Sequence, residues 1–137
     1  MLSLLYLSHS LIPAGDEMPV VQDIMSVAVR RNLANGITGA LVFTGRDFAQ
    51  VLEGPESQVA QVMGSILLDR RHDNVRILAR QDVSTRSFPN WGMAQVASTA
   101  EVQGRIDDIN RSSNEQDMAD AIAALSNWMR AGSSARV

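Results

Sequence analysis

The sequence predicts an α+β fold, with strands and helices in the order βαββαβ, one additional strand and a helical tail. Three observations carry this reading. Apolar residues recur at three- and four-residue spacing over 17–33 and again after Pro55, the period of helices packed on one side. Stretches 2–8, 37–43 and 48–54 are short, apolar and rich in branched side chains, as buried strands are. Between the last two lies Thr44-Gly45-Arg46-Asp47, a tight turn that makes them an antiparallel hairpin.

The first strand ends in a loop holding Pro13, Gly15 and Asp16. The helix that follows places Val20, Ile24, Val27, Ala28 and Asn32 on one face, and Asn35-Gly36 stops it because both tolerate left-handed backbone angles. Gly54-Pro55-Glu56 opens the second helix, whose stripe is Val59, Val62, Met63, Ile66 and Leu67. Two strands are expected over 75–83 and 91–97, separated by a loop with Phe88-Pro89. This order is the ferredoxin-like arrangement, with both helices on one face of a mixed sheet. The expected division is a core over 1–97 and a helical cap over 98–137. In the cap, Ser113 to Gln116 fits a capping box that introduces a helix. That helix carries Met118, Ile122, Leu125 and Met129 on one side with Trp128 beside them, and is expected to end at Gly132. It is expected to cover the open sheet face or to serve a homo-oligomer, as a dimer or a ring.

Composition narrows the function classes. Hydrophobic residues are 45% and charged residues 20%, ordinary for a globular domain, and a net charge of −3 supplies no electrostatic footprint for nucleic acid. Without cysteine there is no disulfide, thiolate nucleophile or cysteine metal site, which suits a cytoplasmic location. The apolar N-terminus has no basic leader and is too short to span a bilayer, so no membrane association is expected. No Ser/His/Asp set or HExxH motif is present, and Gly36-Ile37-Thr38-Gly39 leads into a strand where a phosphate loop would lead into a helix.

The informative residues are polar ones on buried faces. Residues two apart in a strand share a face, so Tyr6 lies with Leu2, Leu4 and Ser8, and Gln50 with Phe48 and Leu52. A phenol or carboxamide buried without a partner costs about 1–3 kcal/mol. Asn32 likewise ends the apolar face of the first helix. Three uncharged hydrogen-bonding groups converging on an apolar interior point to a planar, polar-edged ligand.

Tyr6 and Ser8, RRNLANGITGALVF (30–43), QVLEGP (50–55), DRRH (69–72) and FPNWGM (88–93) together resemble the BLUF domain, a blue-light sensor that uses flavin. The resemblance runs over about residues 2–97, with five blocks in family order. It implies FAD held non-covalently between the two helices and a protein that is not an enzyme. It implies Tyr6 as the electron- and proton-donating tyrosine, Gln50 as the amide between that phenol and the ring, and Asn32 as the holder of the ring's carbonyl edge. Ile24 and Ile66 would sandwich the ring. Arg31, Asp69, Arg71 and His72 match positions near the ring edge or the ribityl and phosphate chain. Trp91 and Met93 fall at the variable pair on the last strand, and Ser8 joins them with Tyr6 and Gln50 in the photoactive set. A separate downstream signalling protein is the expected partner of a short, stand-alone sensor.

Taken one at a time these residues have ordinary readings. Tyr6 is equally a core tyrosine, Gln50 an edge-strand surface residue, Asn32 a helix terminator, and Met93 a gap-filler. The alternative function is a ferredoxin-like interaction module with little or no flavin use. A small acyl-phosphate hydrolase is a third, resting on Arg31-Asn32 alone.

Overall fold

The computed structural model describes residues 1–90, 92–96 and 98–134. β1 (Leu2–Ser10) leads to α1 (Glu17–Ala34), the hairpin β2 (Thr38–Phe43) and β3 (Asp47–Gly54), α2 (Glu56–Leu68), β4 (His72–Asp82) and a short β5 (Ala94–Gln95). Two helices follow, α3 (Ala100–Arg111) and α4 (Glu115–Ser134). The sheet order is β4-β1-β3-β2-β5. β1 is antiparallel to both β3 and β4, β2 is antiparallel to β3, and β5 runs parallel to β2. Each helix therefore joins two parallel strands across one intervening strand, and both helices pack on the same sheet face.

Alternation along the strands divides the core. Leu2, Leu4, Tyr6, Leu41, Phe48 and Leu52 face α1 and α2, where Val21, Ala28, Val59, Val62, Met63 and Ile66 complete one cluster. Leu5, Leu7, Ala40, Val42, Ala49 and Val51 face the other way, onto Val102, Ile106, Ile109, Leu125 and Met129. The tail thus covers the second sheet face, one of the two roles expected of it. Gly39 shows why a glycine stands in the second strand: a Cβ there would fall on the Val51 carbonyl of β3.

Several boundaries differ from expectation. β4 begins at His72, three residues earlier than 75, because β1 is long enough to pair with it from Ser10↔His72 to Leu2↔Asp82. β5 is two residues, paired to Ala40 and Leu41, where 91–97 was expected. α3 escaped the sequence reading although its signal was present: Thr99 caps it by accepting from Val102 N, and Val102, Ile106 and Ile109 recur at four and three. The cap of α4 is Asn114, whose Oδ1 accepts from Asp117 N at 2.9 Å, so the Ser113 box does not form. α4 also runs past Gly132 to Ser134. On α1 Val21 is buried in place of Val20, and on α2 Leu67 lies outside the stripe at 57% exposure.

Candidate functional site

The register of β1 against β3 places Tyr6 directly opposite Gln50. Both side chains are buried on the face toward α1 and α2, and the Tyr6 hydroxyl donates to Gln50 Oε1. The other end of that amide, Nε2, donates to the Met93 thioether at 3.5 Å. The two polar groups that the alternation pattern singled out therefore satisfy each other, with Met93 as the third member. Burial, partly opposed by the nearby Arg31 charge, pushes the Tyr6 phenol well above its ordinary value, so it is neutral at physiological pH.

A cleft opens over this pair. Leu41 and Phe48 border Tyr6 and Gln50, Ile24, Val27, Ala28 and Arg31 come from α1, Ser65, Ile66, Asp69 and Arg71 from α2 and the turn after it, and His72 from the start of β4. Its free volume is about 540 Å³ including the mouth open to solvent, of which only about 70 Å³ admits the centre of a water molecule. Val27 is 41% exposed because it faces this space and not the packed core.

At the cleft edge, Arg71 donates to Asp69 through Nε at 2.9 Å and Nη2 at 2.6 Å, and reaches Asp23 of α1 through Nη1 at 3.0 Å. Hydrogen bonds from Arg71 hold Asp69 below the usual carboxylate range, and the same contact raises Arg71. Burial lowers Arg31 from the usual arginine range, with Tyr6 and Asp69 acting in the opposite sense. His72 bridges β1 and α2: Nε2 lies 2.7 Å from the Ile66 carbonyl and Nδ1 lies 2.7 Å from Ser8 Oγ. A carbonyl only accepts, so Nε2 carries the proton and, in the neutral ring, Nδ1 accepts from the Ser8 hydroxyl.

Eight of the expected residues thus border one cleft: Tyr6, Ile24, Arg31, Gln50, Ile66, Asp69, Arg71 and His72. Ser8 sits behind His72, and Met93 behind Gln50. Asn32 is fully buried next to Arg31, accepting from Arg31 Nε at 3.4 Å and donating through Nδ2 to the Gly92 carbonyl at 2.8 Å. Trp91 lies outside the described residues. The sequence reading did not assign Ala28 or Phe48 to the site, although each stands in register with a residue it did assign: Ala28 midway between Ile24 and Asn32, Phe48 two before Gln50. Asp23 carried no such signal.

Residues 1–94 match the family model described as "Sensors of blue-light using FAD", BLUF. The chain belongs to the BLUF family. A BLUF relative, the blue light- and temperature-regulated antirepressor BluF of Escherichia coli (strain K12), is 39% identical over 93 residues, 66% of this chain and 22% of that protein. The chain thus spans only about a fifth of that relative's length. Among solved structures, the dark state of the BLUF protein BlrB is 31% identical with a TM-score of 0.71, covering 90% of this chain and 95% of that one. The photo-activated state of BlsA is 25% identical with a TM-score of 0.74, covering 90% and 93%. The BLUF relation places residues 1–94 among the flavin-based blue-light sensor domains. Among the described residues no helix is long and apolar enough to cross a membrane.

The chemistry of the cleft lining suits such a cofactor. Apolar side chains from two helices face each other across it, a carboxamide stands at its floor, and Arg31 stands on its border beside the Asp69–Arg71 pair.

Proposed function

We propose that this chain senses blue light through an FAD-dependent switch of the Gln50 amide, and that it passes the signal to a separate protein. The observation that carries the proposal is the buried series Tyr6 Oη to Gln50 Oε1, Gln50 Nε2 to Met93 Sδ, at the floor of the cleft. Ile24 and Ile66 would hold the ring from the two helices, Gln50 and Asn32 its polar edge, and Arg31, Asp69, Arg71 and His72 its side chain. Bound flavin supplies absorption of blue light and, once excited, a strong oxidant for a nearby phenol.

The protein groups have chemistry suited to the rest. Tyr6 is a neutral phenol at physiological pH, which burial extends into the alkaline range, so Oη has both an electron and a proton to give. The amide of Gln50 donates at one end and accepts at the other, and a half-turn exchanges the two without moving charge. In the resting arrangement its carbonyl takes the phenol and, among the described residues, its NH2 group meets a thioether, a weak acceptor. Turned over, the NH2 group would face Tyr6 and release Met93, which leads directly into β5. A carboxylate at position 50 accepts only and could not exchange roles. The partner is proposed to be a protein because the Escherichia coli relative is by name an antirepressor.

The test is the visible absorption spectrum of purified, FAD-loaded protein in darkness and under blue light. A small, reversible shift to the red is expected. A sample that stays colourless after incubation with FAD, or whose yellow spectrum ignores light, overturns the proposal. Release and mass measurement of the bound flavin distinguishes FAD from FMN.

A further inference from the structure

Glu53 is a carboxylate at 1% exposure in the middle of the sheet, three residues from Gln50, and neither the cleft nor the amide switch uses it. Three donors converge on it. Oε1 accepts from Thr38 Oγ1 at 2.9 Å and from the backbone N–H of Phe88 at 2.6 Å; Oε2 accepts from the N–H of Ser87 at 2.8 Å. The hydrogen accounting is unambiguous, because Thr38 Oγ1 itself accepts from Arg86 Nη1 at 2.8 Å and so directs its own proton at Glu53. Arg86 also donates to the backbone carbonyls of Glu53 and Gly36, at 2.9 and 2.7 Å.

The peptides held in this way belong to the connection from β4 to β5. Phe88 is fully buried in the cluster under α3 and α4, and Arg130 of α4 donates to Ser87 Oγ at 3.2 Å. Gly92 and Met93 follow four and five residues after Phe88, a tether of at most about 18 Å. Their far contacts are the switch itself: Gly92 O takes the Asn32 amide, and Met93 Sδ takes the Gln50 amide. Clasp and switch also share supports. Glu53 and Gln50 stand on β3, and Gly36, held by Arg86, follows closely on Asn32, whose carbonyl accepts from Ile37 N at 2.8 Å.

We propose that Glu53 is a positioning residue for the light switch: by holding the Ser87 and Phe88 peptides to β3 it sets where Met93 stands against Gln50 and Gly92 against Asn32. This rests on the amide-switch reading above. A buried carboxylate suits the task because it accepts only, and can serve three donors at once without needing one of its own. Glutamine, nearly the same shape, would turn an NH2 group toward a peptide N–H and lose one anchor.

The experiment compares flavin-loaded wild type with Glu53→Gln and with Arg86→Met, a change at a half-exposed side chain that removes the outer half of the clasp and decides the matter if Glu53→Gln does not fold. Amide exchange at Ser87 and Phe88 should rise about tenfold, the Met93 methyl resonance should move in the dark state, and recovery from the lit state should change by about tenfold, the scale of one lost anchoring bond. Flavin affinity should stay within about twofold, since no group bordering the cleft is altered. Unchanged amide exchange, or faster exchange with the methyl resonance and recovery rate of wild type, overturns the proposal. If wild type itself shows no light response, the amide-switch reading fails, while the dark-state methyl resonance still decides whether Glu53 positions Met93.

Discussion

Asn32 and Gly92, sixty positions apart, are joined by a 2.8 Å hydrogen bond from the side-chain Nδ2 to the backbone carbonyl. It ties the last turn of α1 to the residue before Met93. Both partners are buried. Asn32→Ala should therefore leave a buried carbonyl unpaired, at a cost of about 1–3 kcal/mol. Thermal unfolding should occur several degrees lower, with a displaced dark spectrum in flavin-loaded protein. Unchanged unfolding and spectrum would remove this bond from the account.

Gly92 packs so closely on α1 that a Cβ there would lie 2.9 Å from Leu33 Cγ and 3.1 Å from the Val29 carbonyl. Leu33 can yield, but the helix backbone cannot. Gly92→Ala should push the segment from α1 and cost about 1–3 kcal/mol, the usual penalty of overpacking. Chemical denaturation measures it directly.

Tyr6→Phe removes the one hydroxyl that meets Gln50 Oε1 while keeping the ring in its apolar surroundings. The variant should bind flavin and stay yellow. Its reversible light-induced shift should be lost, and a shift of normal size would exclude Tyr6 from the switch.

Tyr6 also sets an alkaline limit. It is the chain's single tyrosine, there is no cysteine, and the 12 basic residues are all arginine, so no other side-chain type ordinarily titrates near pH 10. Burial raises its folded-state value above the ordinary 10.0. The folded state therefore keeps a proton that the unfolded chain releases, and the stabilisation is complete below about pH 10 and lost as pH climbs further. Denaturant midpoints should fall above pH 10 in wild type and much less in Tyr6→Phe.

Asp69 works in the opposite direction. Hydrogen bonds from Arg71 depress its folded-state value, so its contribution is present above the ordinary carboxylate range and lost as pH falls through the depressed value. Asp69→Asn should flatten the acid limb of the stability curve below about pH 4. An identical acid limb would show that the Arg71 contact adds nothing in solution.

Leu125 is fully buried between α4 and the sheet. Leu125→Ala should cost about 2–5 kcal/mol, and the whole chain should still unfold in one transition. A separate transition for the tail would mean that the sheet stands without it.

Much of the site was legible because strand periodicity exposes a misplaced polar group. Tyr6 among leucines and Gln50 between Phe48 and Leu52 announce themselves at spacing two, and the resemblance joined them to Asn32, Arg31 and the turn at 69–72. The tail was less legible. α3 has only three buried apolar residues among polar and charged ones, and its cap is a lone threonine. Asn114 displaced Ser113 as a cap because adjacent polar residues compete for the same role, and only the entry angle of the chain chooses between them.

Sequence alone determined the order of elements as far as β5, the faces of the strands and the polar side chains that had to find partners in the interior. Those follow from local periodicity and from the cost of burying an unpaired group. Tertiary structure decided which partners they found. The register that sets Tyr6 opposite Gln50, the approach that lets Asn32 reach Gly92, and the path that delivers the Ser87 and Phe88 peptides to Glu53 all join residues dozens of positions apart. Such pairings depend on how strands align and how closely a helix and a loop can approach, and no local pattern records either.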